Sequence, residues 1–482
     1  MEVSGRLYID GEWTSGKGAR FEQRNPARLS QVTGTWPEAT PDEVQAAFDA
    51  AARSFEAWAR TPAVKRADLF KRVLAGMDAR RDELAAALTA ENGKTLDESH
   101  AEIQSGMREM EFQMGEGLRT NGKSTPSIRE GILAYDVRRP LGVVSVISPW
   151  NFPFNVPCRK ITPALMAGNT VVFKPSSLTP RTGELFVDLL HEAGFPAGVI
   201  NFVTGGGSTV GTKLATAPQA RALSFTGSTS VGVKIHGLAA QHMIRTQLEM
   251  GGKNAQVVLA DADLDDAAQA AVKAAYTCAG QWCTATSRLI VEESVHDDLL
   301  ARVAALVDEL EVGDGADPSS TMGPVCGKDQ LDSVLSYIAA GTEAGAVAIR
   351  GGRQAAEGDL ADGCFIEPTV FSGVTRDMVI AREEIFGPVL SVIAVADLDE
   401  AIEVCNDTEY GLTSSVYTND VRAGMRFVSE VDTGFTHINL MTAYREPQHS
   451  FGGIKMSGFG LPEAGSTGIE FFTDHKVVYV TQ

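Results

Sequence analysis

From Gly142 onward, short apolar runs alternate with segments of helical periodicity, and no other feature of the sequence restricts the fold as strongly. The runs lie at Val143 to Ile147, Thr170 to Phe173, Val199 to Val203, Ala222 to Phe225 and Gln256 to Leu259. A strand that is apolar throughout is covered on both faces, which is the condition of parallel strands joined by crossover helices. The first series therefore predicts a doubly wound sheet. A second series starts near Ser287, with strands at Arg288 to Val291, Val389 to Ala394 and Ser414 to Tyr417. Helices near Val295 to Glu311, Gln330 to Ala344 and Leu398 to Asn406 separate them, so a second α/β unit is expected. A chain of 482 residues is long enough for both.

The region before Gly142 reads as mainly helical. Thr40-Pro41-Asp42-Glu43 combines a threonine N-cap, a proline at the first helical position and a glutamate three residues on, which predicts a helix to about Ala59. Amphipathic patterns from Val64 to Asn92 and from Thr95 to about Gly115 predict further helices. Leu133 to Val137 reads as a strand that leaves the main body.

Charge and cysteine content narrow the partners. Lys and Arg number 42 against 62 Asp and Glu, a net charge of −20 that repels phosphate backbones and acidic lipid surfaces. Nucleic acid and membrane are not expected as partners. Six scattered cysteines are too few to staple a chain of this size, and Met1 to Trp13 has no unbroken apolar stretch of an export signal, so a reducing, cytoplasmic setting is expected. The histidines and cysteines show no metal-ligand spacing, and no metal site is expected.

Several positions carry possible chemistry. Thr226-Gly227-Ser228 follows a strand and opens a helix, where backbone N–H groups and the helix dipole accept a phosphate; a plain glycine-rich turn is the alternative. Lys174 lies just past another strand, at the edge where open α/β sheets bind ligands, unless it is a solvated surface lysine. Cys283, in Gly280-Gln281-Trp282-Cys283-Thr284, is either a nucleophile or an inert buried thiol, and Cys278 fits the inert reading better. Glu249 precedes Gly251 and Gly252 and reads as a carboxylate aimed into a cleft or as a surface charge. Asn151, between Pro149 and Pro153, reads as a fixed amide donor or as a turn residue.

The order of these motifs says more than any one of them. PWNFP, FKP, FTGS, LEMGGKN, GQWC, EEIFGP and FGGIKMSGFG run in sequence from Pro149 to Gly460. The chain thereby resembles the aldehyde dehydrogenase superfamily over nearly its whole length. The resemblance implies a Rossmann-type dinucleotide-binding domain at residues 1–117 and 141–251 and an α/β catalytic domain at 252–451. It also implies a small β bridging element at 118–140 and 468–482 that pairs subunits into a homodimer or homotetramer.

It further implies that Cys283 attacks an aldehyde, that Asn151 and a backbone N–H hold the oxyanion, and that Glu249 activates the hydrolytic water. Trp150, Lys174, Ser177, Gly227, Ser228, Glu384 and Phe386 would hold the dinucleotide. Glu249 sets the chain apart from the branch that transfers its acyl group to coenzyme A. The small, neutral Ser177 stands where NAD-selective members often carry glutamate, which implies use of both NAD and NADP with NADP slightly favoured. Arg159 corresponds to an arginine that binds the far carboxylate in succinate-semialdehyde dehydrogenases, while the second arginine of those enzymes is replaced by Thr277. The stretch from Cys283 to Arg288 looks more like α-ketoglutarate-semialdehyde (2,5-dioxopentanoate) dehydrogenases. Succinate, glutarate, aromatic or aliphatic aldehydes are the alternatives, and a thiol esterase or a non-catalytic relative lies beyond them. Leu461-Pro462 departs from the family's usual Arg-Glu, which bears on local subunit contacts.

Overall fold

The apolar runs fold as buried strands of two separate sheets in a computed structural model that describes residues 3–481. The first sheet has eight strands in the order Gly458–Phe459, Arg245–Glu249, Ala220–Thr226, Val143–Ile147, Thr170–Lys174, Ile200–Phe202, Leu7–Ile9 and Glu12–Thr14. Its five central strands run parallel, and antiparallel strands close both edges. The second sheet has seven strands, in the order Val347–Arg350, Thr369–Ser372, Val389–Val395, Arg288–Glu292, Ala255–Val258, Thr413–Tyr417 and Phe435–Ile438. Only its first pairing is antiparallel.

One expectation needs correction here. Gln256 to Leu259 had been grouped with the first sheet, yet Ala255–Val258 pairs with Arg288–Glu292 and Thr413–Tyr417 in the second. The first sheet instead takes Arg245–Glu249, whose Arg-Thr-Gln text is too polar to read as a buried strand. It is tolerated because Gln247 is fully buried with its amide bonded to Ser224 and to the Leu461 carbonyl. Ahead of the first expected helix, which starts at Thr40, the chain forms strands. Val3–Ser4, Arg20–Asn25 and Arg28–Pro37 form a three-stranded sheet, and Leu7–Ile9 and Glu12–Thr14 join the large one. Their half-exposed, mixed sequences give no clean alternation.

The helix signals were clearer. Pro41–Arg60 starts at a complete capping box of Thr40 and Glu43, and Leu96–Leu118 at a second one formed by Thr95 and Glu98. The stretch from Val64 to Asn92 is broken at Arg80 into Ala63–Ala79 and Arg81–Asn92. Ile132–Pro140 does leave the main body: it pairs along its whole length with Thr473–Thr481 and, on its other side, with Ser124–Pro126. Among the described residues no helix is long and apolar enough to cross a membrane.

Candidate active site

Trp150, Asn151, Gly227 and Ser228 at the carboxyl edge of the first sheet, Cys283, Glu384 and Phe386 in the segments that lead into the second-sheet strands Arg288–Glu292 and Val389–Val395, and Arg159 of the helix Asn155–Ala167 meet at one cavity of about 450 Å³. Parallel strands end on the same edge, and the loops leaving that edge are free to carry polar groups. Lys174, Ser177 and Glu249 do not line this cavity; each is placed nearby by the strand or loop that carries it.

Cys283 is the one partly exposed cysteine among the described residues; the other five are buried. Its loop is fixed at several points. Asn254 donates its amide to the carbonyls of Cys283 at 2.7 Å and Ala285 at 2.8 Å, and Thr442 Oγ1 donates to the Thr284 carbonyl at 2.7 Å. Before it, Cys278, Ala279 and Gly280 all adopt positive φ. At Gly280 a Cβ would meet the Gly387 carbonyl oxygen at 2.1 Å, so only glycine fits that turn. Cys278 is buried in this kink rather than in a helix, with its N–H donated to Glu98 at 2.6 Å. Burial pushes the Cys283 thiol up to about 12, against the pull of Arg159, so the resting sulfur carries its proton.

Two donors lie in the cavity wall that holds this sulfur. The Asn151 amide gives one N–H to the Gln281 carbonyl at 3.0 Å, which orients the group and leaves its second N–H free. The main-chain N–H of Cys283 donates to no protein group among the described residues. Asn151 is itself held through its carbonyl, which accepts from Lys94 at 2.7 Å.

Glu249 ends the strand Arg245–Glu249 and is buried next to Glu463. Burial first, then the Glu463 charge, drive its carboxyl well above the usual range, outweighing Lys160 and Arg159. Burial also pushes Glu463 up, but Arg159 at 2.8 Å and Lys160 at 2.7 Å hold it below that range. One proton therefore rests on Glu249, and the negative charge on Glu463. Arg159 is thus no free surface cation: it is ion-paired with Glu463 and lies 4.4 Å over the Phe451 ring.

The remaining residues form a crevice suited to a dinucleotide. Ser228 is the N-cap of the twelve-residue helix Thr229–Ala240 but caps no N–H, so the first-turn donors are left for an anion. The hydroxyl of Thr226, just before, is buried without a partner. Trp150 and Phe386 meet edge to face at 5.4 Å. The Glu384 carboxylate accepts from the Gly252 N–H at 3.0 Å, and burial raises it to about 7. Lys174 is buried rather than solvated; burial lowers it to about 8, and its ammonium donates to the Pro175 carbonyl at 2.8 Å. Ser177 donates to the Gly205 carbonyl at 3.2 Å. Close by, Glu38 accepts from the Gly206 N–H at 3.2 Å and from Thr209 at 2.6 Å.

A profile of the Aldehyde dehydrogenase family matches residues 13–478. The chain belongs to the aldehyde dehydrogenase family. It is 40% identical to the alpha-ketoglutaric semialdehyde dehydrogenase of Bacillus subtilis (strain 168), over 98% of this chain and 97% of that one. Among solved structures, an NAD-dependent aldehyde dehydrogenase from Sinorhizobium meliloti superposes with a TM-score of 0.97 at 36% identity, covering 100% of this chain and 95% of that one. An NADP dependent enzyme of E. coli superposes with a TM-score of 0.96 at 34% identity, over 99% and 98% of the two chains. This aldehyde dehydrogenase thus has solved relatives described with either cofactor.

Sequence reasoning passed over several residues of the site. Asn254, Gln281 and Thr442 act through backbone carbonyls, which leave no spacing to read. Lys160, Glu463 and Arg445 meet only in three dimensions, and the one available signal was their occurrence beside quoted motifs.

Proposed function

We propose that this chain oxidises α-ketoglutarate semialdehyde to 2-oxoglutarate with NAD or NADP, through a thiohemiacetal and then a thioester on Cys283. The observation that carries this reading is the one partly exposed thiol among the described residues, in a cavity wall it shares with Asn151, with a free N–H on the Asn151 amide and on Cys283 itself. Attack of the sulfur on the aldehyde carbon makes a C–S bond as the carbonyl π pair moves onto oxygen, and the thiol proton is released to solvent. The oxyanion forms between those two donors, which need no reorganisation to receive it. A bound nicotinamide supplies the hydride acceptor. Trp150, Ser228, Gly227, Glu384, Phe386, Lys174 and Ser177 are the residues that hold the dinucleotide.

Glu249, once deprotonated, takes a proton from the water that attacks the thioester and releases the acid. Arg159 and Lys160 lower the cost of that deprotonation, and Glu463 raises it. The substrate reading rests on the arginines of the cavity wall and on the similarity to the Bacillus subtilis semialdehyde dehydrogenase. For the cofactor, Ser177 leaves room for a 2′-phosphate and Lys174 offers it a cation, while Glu38 within electrostatic reach of Lys174 offsets part of that attraction. Both cofactors are accepted, with NADP favoured by a small factor. The exposed side chains of Val477 and Tyr479 on Thr473–Thr481 suit burial against a second subunit, in a homodimer or homotetramer.

Mass spectrometry of enzyme stopped during turnover tests the mechanism. An acyl adduct on Cys283 and inactivity of Cys283→Ala are expected; full velocity in that variant overturns the reading. Steady-state rates with 2,5-dioxopentanoate, succinate semialdehyde and benzaldehyde, each with NAD and NADP, test substrate and cofactor together.

A further inference from the structure

Arg445 stands on the same cavity wall as Arg159, although it lies far from it in sequence. The two guanidinium groups flank one ring, at 4.4 Å for Arg159 and 5.8 Å for Arg445 from the centre of Phe451. Stacking of this kind fixes guanidinium planes and leaves their edges to make hydrogen bonds. Much of the cavity is otherwise apolar, with Phe152, Trp282, Met441 and Ala443 among its lining.

Glu98 and Glu102, which line the cavity near this wall, are already engaged. Both oxygens of Glu98 accept main-chain N–H groups, from Thr95 and Cys278, and both oxygens of Glu102 are bonded, to Lys94 and to the N–H groups of Phe154 and Asn155. Each arginine is ion-paired, Arg159 with Glu463 and Arg445 with Glu109, but keeps one donor unused. Arg159 Nε is buried with no acceptor. Arg445 pairs through Nη1 with Glu109 and through Nη2 with two neutral oxygens, of Ser105 at 3.2 Å and Asn155 at 3.1 Å, and its Nε–H has no acceptor among the described residues. Arg445 is tied to Glu109 and Ser105 of the helix Leu96–Leu118, whereas Arg159 is tied to Glu463, in the segment that packs by Glu249. Arg445 therefore belongs to the side of the wall away from Glu249.

We propose that Arg445 is the specificity-determining residue of this site: it takes the carboxylate at the far end of the aldehyde, while Arg159 faces the middle of the same molecule. A 2-oxo acid suits the pair, because its carboxylate and neighbouring carbonyl oxygen present acceptors in one plane to donors fixed by one ring. The inference rests on the aldehyde-oxidising reading above and adds to it the residue that selects the substrate. It replaces the missing arginine at Thr277 with one supplied by a different segment of the chain.

The test compares kcat/KM for 2,5-dioxopentanoate with that for pentanal, which has the same chain length and no carboxylate. In Arg445→Leu the ratio of the two is expected to fall roughly ten- to a hundredfold, the range of a lost charge-assisted hydrogen bond. Arg445→Lys, which keeps the charge and loses the fork, is expected to fall between. Glu109 is buried, so the double variant Glu109→Gln/Arg445→Leu avoids stranding its charge, and the same fall is expected there. A ratio within twofold of the parent in both variants, or a parent with no preference for the carboxylated aldehyde, overturns the proposal. Protection of Cys283 from iodoacetamide by 2-oxoglutarate gives a readout without turnover. Weakened protection in Arg445→Leu supports the proposal even where the redox reading fails, and equal protection overturns it.

Discussion

Two clusters of buried charge lie beside the cavity, and they differ in how completely their atoms are satisfied. In the first, Lys94 donates to Glu102 and to the Asn151 carbonyl at 2.7 Å each, and the other oxygen of Glu102 accepts the N–H groups of Phe154 and Asn155. In the second, Glu463 is ion-paired through one oxygen with Arg159 at 2.8 Å and through the other with Lys160 at 2.7 Å. Glu249 Oε2 and Arg159 Nε are unpartnered. A buried polar group left without a protein partner costs about 1–3 kcal/mol, so these are the atoms of this cluster with capacity for a further partner. The complete cluster fastens the loop that carries Asn151. The incomplete one has room to accept, hold and release a proton.

Substitutions separate the two. Glu249→Gln is expected to have the largest effect, slowing steady-state turnover about 10²- to 10⁴-fold while an initial burst of reduced cofactor remains, because only the water-activating step loses its base. Its thermal unfolding should stay close to that of the parent, since the resting carboxyl is already neutral. Rapid-mixing absorbance and a melting curve check both, and an unchanged steady-state rate removes Glu249 from the mechanism.

Lys94→Met breaks the complete cluster and should show the reverse profile. It strands the Glu102 carboxylate in a site with no solvent access, a loss of about 3–5 kcal/mol. Chemical denaturation should register this in full. Activity should decline chiefly through a misplaced Asn151, and a variant as stable as the parent would show that the cluster does not fasten the loop.

The sequence made these two clusters unequally legible. Motif order was enough to single out Cys283, Asn151 and Glu249 as candidates, because each lies at a strand end or in a glycine-rich turn that constrains the neighbouring residues. The two α/β sheets were legible for the same reason: strands such as Val143–Ile147 and Arg288–Glu292 are buried on both faces and so read as apolar runs. The strands at residues 3–37 and the polar strand Arg245–Glu249 were not, because their partners are set by tertiary pairing that no local period records. Lys94, Glu102 and Glu463 escaped notice on the same grounds. A buried ion pair joins residues that the chain keeps far apart, and each member alone looks like a surface charge.

The mildest substitution bears on the proton itself. Glu463 is the negative neighbour that, after burial, does most to raise Glu249, and Arg159 and Lys160 oppose it. Glu463→Gln removes the repulsion and leaves both cations facing Glu249 alone, so both changes lower the pH at which Glu249 ionises. A general base works only when deprotonated, so the rate of the hydrolytic step must fall as pH drops through that value. In the parent this acid limb lies above the ordinary carboxylate range. In Glu463→Gln it should move to lower pH, with the plateau rate at high pH reduced by a smaller factor than in Glu249→Gln. A pH profile of kcat under conditions where deacylation limits turnover reads the shift. A limb that stays in place would mean that the proton resting in the second cluster is not the one that controls the reaction, and that the contrast between the clusters is one of packing alone.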